Sequence, residues 1–168
     1  MKRSLAAAVA GAIALSAAAV CAAAPAAPPV LKIPGRGDQP VAPGSLSGAD
    51  ARDVRMEDVS GNVTIYHGQP LLEVLEKNGL DVRTMAGERK SAAAVVLVKA
   101  RDGYAVAFSI GELRSNRSNP KVFLVSEAGM DPLPDNEGPV RLIVYGDPVR
   151  SSYALATIEL KLLAENKK

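Results

Sequence analysis

The chain of 168 residues has no tryptophan, one cysteine, one histidine and two phenylalanines. Each shortage excludes something. A structural zinc site needs four converging side-chain donors, and Cys21 with His67 cannot supply them. A Ser-His-Asp arrangement would need a serine folded beside that single histidine, and no spacing in the chain points to one. Aromatic residues make up only 4% of the chain, so Val, Leu, Ile and Ala must fill the core. Neither sign of charge dominates, with 20 basic and 18 acidic residues. The basic excess expected of a nucleic-acid binder is absent.

The first residues carry a different signal. Lys2 and Arg3 form a positive start, Leu5 to Val20 is apolar and alanine-rich, and small residues follow around Cys21 to Ala24. This is the layout of a secretory signal peptide. The apolar run is about 16 residues, short of the roughly 20 that span a bilayer. Residues 1–23 are therefore read as a cleaved signal peptide, which places the mature protein in the periplasm or outside the cell with no membrane span. "AAAVC" offers a minor alternative, lipid anchoring at Cys21, which the bulky Val20 opposes. Cleavage after Ala22 or Ala23 removes the only cysteine. The mature chain then has no disulfide and no thiolate. It also takes Lys2 and Arg3 from the 20 basic residues, leaving 18 against 18 acidic ones and a formal charge of zero.

Residues 24–50 hold Pro25, Pro28, Pro29, Pro34, Pro40 and Pro43 together with several glycines. Proline removes donors and disfavours helix at the residue before it, so this stretch is read as an extended leader or linker. The packed domain is expected over 51–163, with a polar tail at 164–168. Val54 to Val59 alternates weakly and suits an edge strand. "NVTIYHG" is a short strand with Val63 and Ile65 on one face, ended by Gly68. "QPLLEVLEKNGL" is the clearest helix, with Pro70 in its first turn and Gly79 as its stop. Ala92 to Ala100 is a nearly continuous β-branched run that predicts a buried strand. "RDG" turns the chain into the alternating "YAVAFS". "SIGE" follows as a capping box in which Ser109 and Glu112 satisfy first-turn amides. Further strands are predicted at 121–126, 140–146 and 153–163, the last with Ala154, Ala156, Ile158, Leu160 and Leu162 on one face. The sum is six or seven strands with two or three short helices: an α+β domain with a mixed sheet.

The order of these elements resembles one known family. "GQPLLEVLEKNGL", then "VVLVKARDGYAVAFSIGEL", then "DPLPDNEGPVRLIVYGD" and a final strand at "ATIEL" are similar to the sulfite-oxidase-type molybdopterin-binding domain, in its short, secreted, stand-alone form. The resemblance covers 54–163 and implies a mixed α+β domain around a pterin-bound metal. Full-length members of that family ligate molybdenum through a cysteine upstream of the first of these segments. Here that region reads "VRMEDVSGNVTIYHG" and has no cysteine. Carboxylates and hydroxyls are poor substitutes for a soft thiolate. The tryptophan-bearing stretch before the last strand is replaced by "DPVRSSYALATIEL".

The candidate cleft residues that follow are Tyr104, Ser109 and Arg141. Arg141 interrupts an apolar strand and suits either a salt bridge or an anion contact. Tyr104 suits either the core rim or the cleft. Ser109 suits a helix cap, and the resemblance places its turn near the cofactor cleft, where free amides favour an anion. His67 reads as a turn residue between strand and helix. Asp131, Asp135 and Glu137 make an acidic loop whose spacing matches no calcium loop. The leading expectation is a non-redox binding or accessory module that takes a small anionic ligand or a periplasmic partner protein, with no cofactor. The competing expectation is a molybdopterin-dependent oxidoreductase, or a subunit of one, with non-thiolate ligation. A structural envelope domain is the third.

Overall fold

A computed structural model of the chain describes residues 26–58, 60–82 and 93–163. The expected signal peptide, Cys21 and the polar tail lie outside the described residues. Among the described residues no helix is long and apolar enough to cross a membrane.

Why the chain forms two sheets follows from where its apolar residues alternate. The first sheet is built from β1 (Val30–Lys32), β2 (Gln39–Pro40), β5 (Ala94–Ala100), β6 (Ala105–Ser109) and β10 (Leu155–Leu162), in the order β2-β1-β10-β5-β6. Only β1 and β10 run parallel; the remaining pairs are antiparallel. The second sheet is antiparallel. It joins β3 (Arg52–Glu57), β4 (Val63–Pro70), β7 (Val122–Ala128) and β8 (Asp131–Pro132), with β9 (Arg141–Val144) also paired to β7. Among the described residues there are two short α-helices, α1 (Leu71–Lys77) and α2 (Ile110–Ser115). The molecule is thus a mixed α+β structure, mostly strand.

Alternation along β7 divides the interior. Val122 and Leu124 face a main core that also takes Leu71 and Leu75 of α1, Val96 and Val98 of β5, and Ile158 of β10. Phe123 and Val125 face a smaller cluster with Val54, Tyr66, Leu133 and Ile143. The second sheet is therefore apolar on both faces, and the loop carrying Leu133 covers the outer one.

Several local features follow the sequence closely. Gly79 has φ +97° and ends α1. Its amide donates to Glu76 and that of Leu80 to Leu75, the paired bonds of a Schellman stop. The β5–β6 hairpin turns at Gly103, φ +90°. The final segment is strand, as its alternation predicts.

Others differ. The stretch read as leader is part of the packed unit from about Val30 onward. β1 docks on β10 with Leu31 opposite Ile158, and Leu31, Ile33, Val41 and Leu46 are buried in the main core. Pro40 is tolerated because β2 lies at the sheet edge, where a missing donor breaks no ladder. Val63 and Ile65 share a face and both stand exposed, while Tyr66 on the opposite face is buried in the smaller cluster. Gly68 does not end the strand. The register shifts between His67 and Gly68, and β4 continues to Pro70. A Cβ at Gly68 would sit 2.1 Å from the Leu124 carbonyl oxygen, so glycine is there for close approach of two backbones. A bulge between Leu155 and Thr157 also breaks the expected phase of β10. Leu155, Ile158 and Leu160 are the buried residues, and Ala154 and Ala156 are not in their row.

Candidate functional site

The hairpin, α2 and the turn after β9 meet at one place, and Arg150 is its centre. Asp147 starts the 3-10 turn Pro148–Arg150: its Oδ1 accepts from the Arg150 amide at 3.3 Å. The Arg150 guanidinium then reaches across to α2. Its Nη1 donates to Glu112 Oε1 at 2.9 Å, and its Nη2 donates to the Ala107 carbonyl at 3.1 Å. The guanidinium carbon lies 4.3 Å from the Phe108 ring centroid. The hydrogen bond to Glu112 holds the Arg150 pKa above the ordinary arginine value against the opposing effect of partial burial.

Two of the residues expected from sequence serve this arrangement. The Ser109 hydroxyl accepts from the Glu112 amide at 2.9 Å and fixes the start of α2. The other half of the expected capping box is replaced, because the Glu112 carboxylate turns to Arg150 instead. The Tyr104 hydroxyl donates to the Val149 carbonyl at 2.6 Å, tying the turn to the end of the hairpin. The turn thus lies along the free side of β6. The Ala100 amide donates to Tyr104, so alternation aims the amide edges of Ala105 and Ala107 away from β5. Arg150 occupies one of them.

Two clefts flank the turn. One, about 260 Å³, is lined by Glu112, Asn116, Lys121, Asp147 and Arg150 among others. The other, about 370 Å³, lies between Arg55, Met56 and Glu57 of β3 and Tyr145, Gly146 and Pro148. Between them the turn presents bare apolar surface: Val149 is 80% exposed and Tyr145 55%.

Arg141 is elsewhere, with a different set of partners. It is buried at 7% exposure. Its Nη1 donates to the Tyr66 hydroxyl at 2.6 Å and to Glu137 Oε2 at 2.8 Å. Its guanidinium carbon lies 4.0 Å from the Tyr153 ring centroid and 4.9 Å from that of Tyr66. Its Nε is buried without a partner. The salt-bridge alternative for Arg141 is therefore the one realised, and the structure does not bring Arg141 together with Tyr104 and Ser109. His67 pairs its Nδ1 with Asp53 Oδ1 at 2.7 Å across the β3–β4 ladder.

A thiolate-held molybdenum requires a cysteine ligand. Cys21 lies outside the described residues, and among these no three His, Cys, Asp or Glu side chains converge to hold a metal. Arg150 and Arg141 are already held by carboxylates. The described residues contain no cysteine that could ligate that metal.

Sequence reasoning missed Arg150, Glu112 and Tyr153 as site residues. For Arg150 a signal was present: Asp147-Pro148 is a turn start that places an arginine three residues after a capping carboxylate. No protein-family model and no curated protein matches the chain.

Proposed function

We propose that the chain is an exported, non-redox accessory module of sulfite-oxidase-type molybdopterin-binding fold, and that it acts by binding a partner protein at the turn 145–150. The observation that carries this reading is an apolar pair on a pinned support. Val149 and Tyr145 stand exposed, while the turn beneath them is fixed by Tyr104, by Asp147 and by the Arg150–Glu112 pair. Rigid apolar anchors of this kind supply most of the energy at protein interfaces, because little side-chain or loop entropy is lost on binding.

Charge supports a protein over a small anion. The 260 Å³ cleft holds Lys121 and Arg150 against Glu112 and Asp147, so its formal charges balance. An anion would have to compete with carboxylates already in place.

The test is recovery of a partner from periplasmic extract by cross-linking to the full chain. Val149→Asp with Tyr145→Ala should abolish recovery while leaving the circular dichroism and melting temperature unchanged. Recovery that the double variant does not affect would remove the turn as the site. Molybdenum and pterin are measured on the protein purified from its own source. Near-stoichiometric amounts of both would replace this reading with an oxidoreductase one.

A further inference from the structure

A third cleft, of about 410 Å³, is lined by Arg101, Asp102, Asn136, Glu137, Tyr153 and Ala154. We infer that it is a binding site for a neutral sugar ring, with Tyr153 as its stacking platform. This inference does not depend on the proposed partner surface.

The platform comes first. Tyr153 is half exposed, and the Arg141 guanidinium covers one of its faces at 4.0 Å from the centroid. Tyr153 also lines the cleft. Arg141 is held in turn by Glu137 and the Tyr66 hydroxyl, so the ring rests on a fixed, buried support. The backbone beside it is also held in an uncommon shape. Ala154 has φ +40°, a left-handed conformation that costs a residue with a Cβ free energy and persists only where neighbours enforce it. Here its amide donates to the Glu137 carbonyl at 2.8 Å, and its carbonyl accepts from the Arg101 amide at 3.0 Å. These two bonds join the three segments that line the cleft.

The polar groups around the ring have capacity to spare. Asp102 uses Oδ1 to accept from the Tyr104 amide, and Glu137 uses Oε2 for Arg141. The second oxygen of each carboxylate and the Asn136 amide have no protein partner among the described residues. Two acceptors and one group that both donates and accepts, set beside an aromatic face, suit the hydroxyls of a pyranose whose C–H face lies on the ring.

Charge narrows the class. Arg101 and Arg141 balance Asp102 and Glu137, so neither an anion nor a cation gains a net attraction. A cation stacked on Tyr153 would also face the Arg141 charge through the ring. A neutral, hydroxyl-rich ring is the ligand that this combination leaves.

The test uses the full mature chain and two kinds of glycan. Cellotetraose, maltotetraose and the tetramer of N-acetylglucosamine are titrated in solution by calorimetry, and insoluble peptidoglycan and cellulose are used for co-sedimentation. With no tryptophan and four tyrosines, the difference in tyrosine emission between the wild type and Tyr153→Phe reports on Tyr153. Binding of at least one soluble tetramer, weakened at least tenfold in Tyr153→Ala and in Asn136→Ala and kept in Tyr153→Phe, supports the site with free oligosaccharide as the source. Binding to an insoluble glycan alone, with the same pattern of losses, supports it with the polymer as the source. No binding in either arm overturns the inference. So does binding that folded Tyr153→Ala and Asn136→Ala leave unchanged.

Discussion

Leu31→Ala should destabilise the protein by about 3–4 kcal/mol. Leu31 is 1% exposed and lies in the main core, on a strand paired with β10. The substitution removes three buried carbons, worth about 0.8 kcal/mol each in transfer free energy, or about 2.4 kcal/mol together. A residual cavity adds to this, which brings the total into the range typical of buried Leu→Ala changes, about 2.7–5 kcal/mol. Against a total stability of about 5–15 kcal/mol, the loss is large and should lower the melting temperature by about 10 °C. The assay is urea denaturation followed by circular dichroism, with Val149→Ala as a control. Val149 is 80% exposed, so its truncation should shift stability by no more than about 0.5 kcal/mol. If Leu31→Ala costs less than about 1 kcal/mol with an unchanged denaturant slope, β1 does not belong to the cooperative unit and residues 24–50 form a leader after all.

Gly68→Ala places a Cβ against the Leu124 and Val125 backbone and should cost about 3 kcal/mol or more; a melting temperature within about 2 °C of wild type would sink the close-approach argument. Glu137→Ala strips a bond from Arg141, whose Nε already has no partner. The expected loss is about 2 kcal/mol, moderated because Glu137 is 25% exposed. Adding Arg141→Met should recover most of that loss in the same urea assay. The Asp58 carboxylate accepts from the Asn62 side chain and from the Ser60 and Asn62 amides, which holds its pKa below the ordinary 3.8. A depressed acid stabilises the fold above its unfolded pKa and loses that contribution as pH falls through the folded value. An NMR titration of Asp58 should therefore show a midpoint below 3.8, and Asn62→Ala should move it upward.

What the sequence made legible was what depended on local pattern. The helix stop at Gly79, the hairpin at Gly103 and the Ser109 cap each need only a few neighbouring residues, and each forms as expected. The leader was misread because proline density outweighed a weaker signal. Val30, Leu31, Ile33, Val41 and Leu46 are spaced like a short strand and its return, and β2 can include Pro40 only because it is an edge. The exposure of Val63 and Ile65 has a different cause. Period-two alternation shows which residues share a face, but not which face meets the core. In β4 the inward residue is Tyr66, an amphipathic side chain that no hydrophobic count would have chosen over isoleucine. The phase of β10 was lost for the same kind of reason, since a bulge is set by the pairing partner and leaves no mark in the strand's own sequence. The site was harder to read than the fold. Arg150 and Glu112 are 38 residues apart, and only the docking of the turn on β6 brings them together.

The arginines also show why a basic residue in an apolar strand is a poor pointer to a ligand. Arg141 suited either a salt bridge or an anion contact, because "PVRLIV" places a charge where the pattern calls for Val or Ile. In the fold its charge is met from within, by Glu137 four residues earlier and by the Tyr66 hydroxyl from β4. Arg150 is met in the same way by Glu112. An anion entering beside either one would have to displace a carboxylate that is already positioned, and removing one partner of such a pair leaves the other charge poorly compensated. Internal pairing therefore turns both side chains from binding groups into supports. Arg150 holds a turn that exposes Val149, and Arg141 packs on the half-exposed ring of Tyr153. The surfaces available for recognition are then the apolar and neutral groups that the arginines position. The proposed protein surface and the proposed sugar site both rest on this internal pairing.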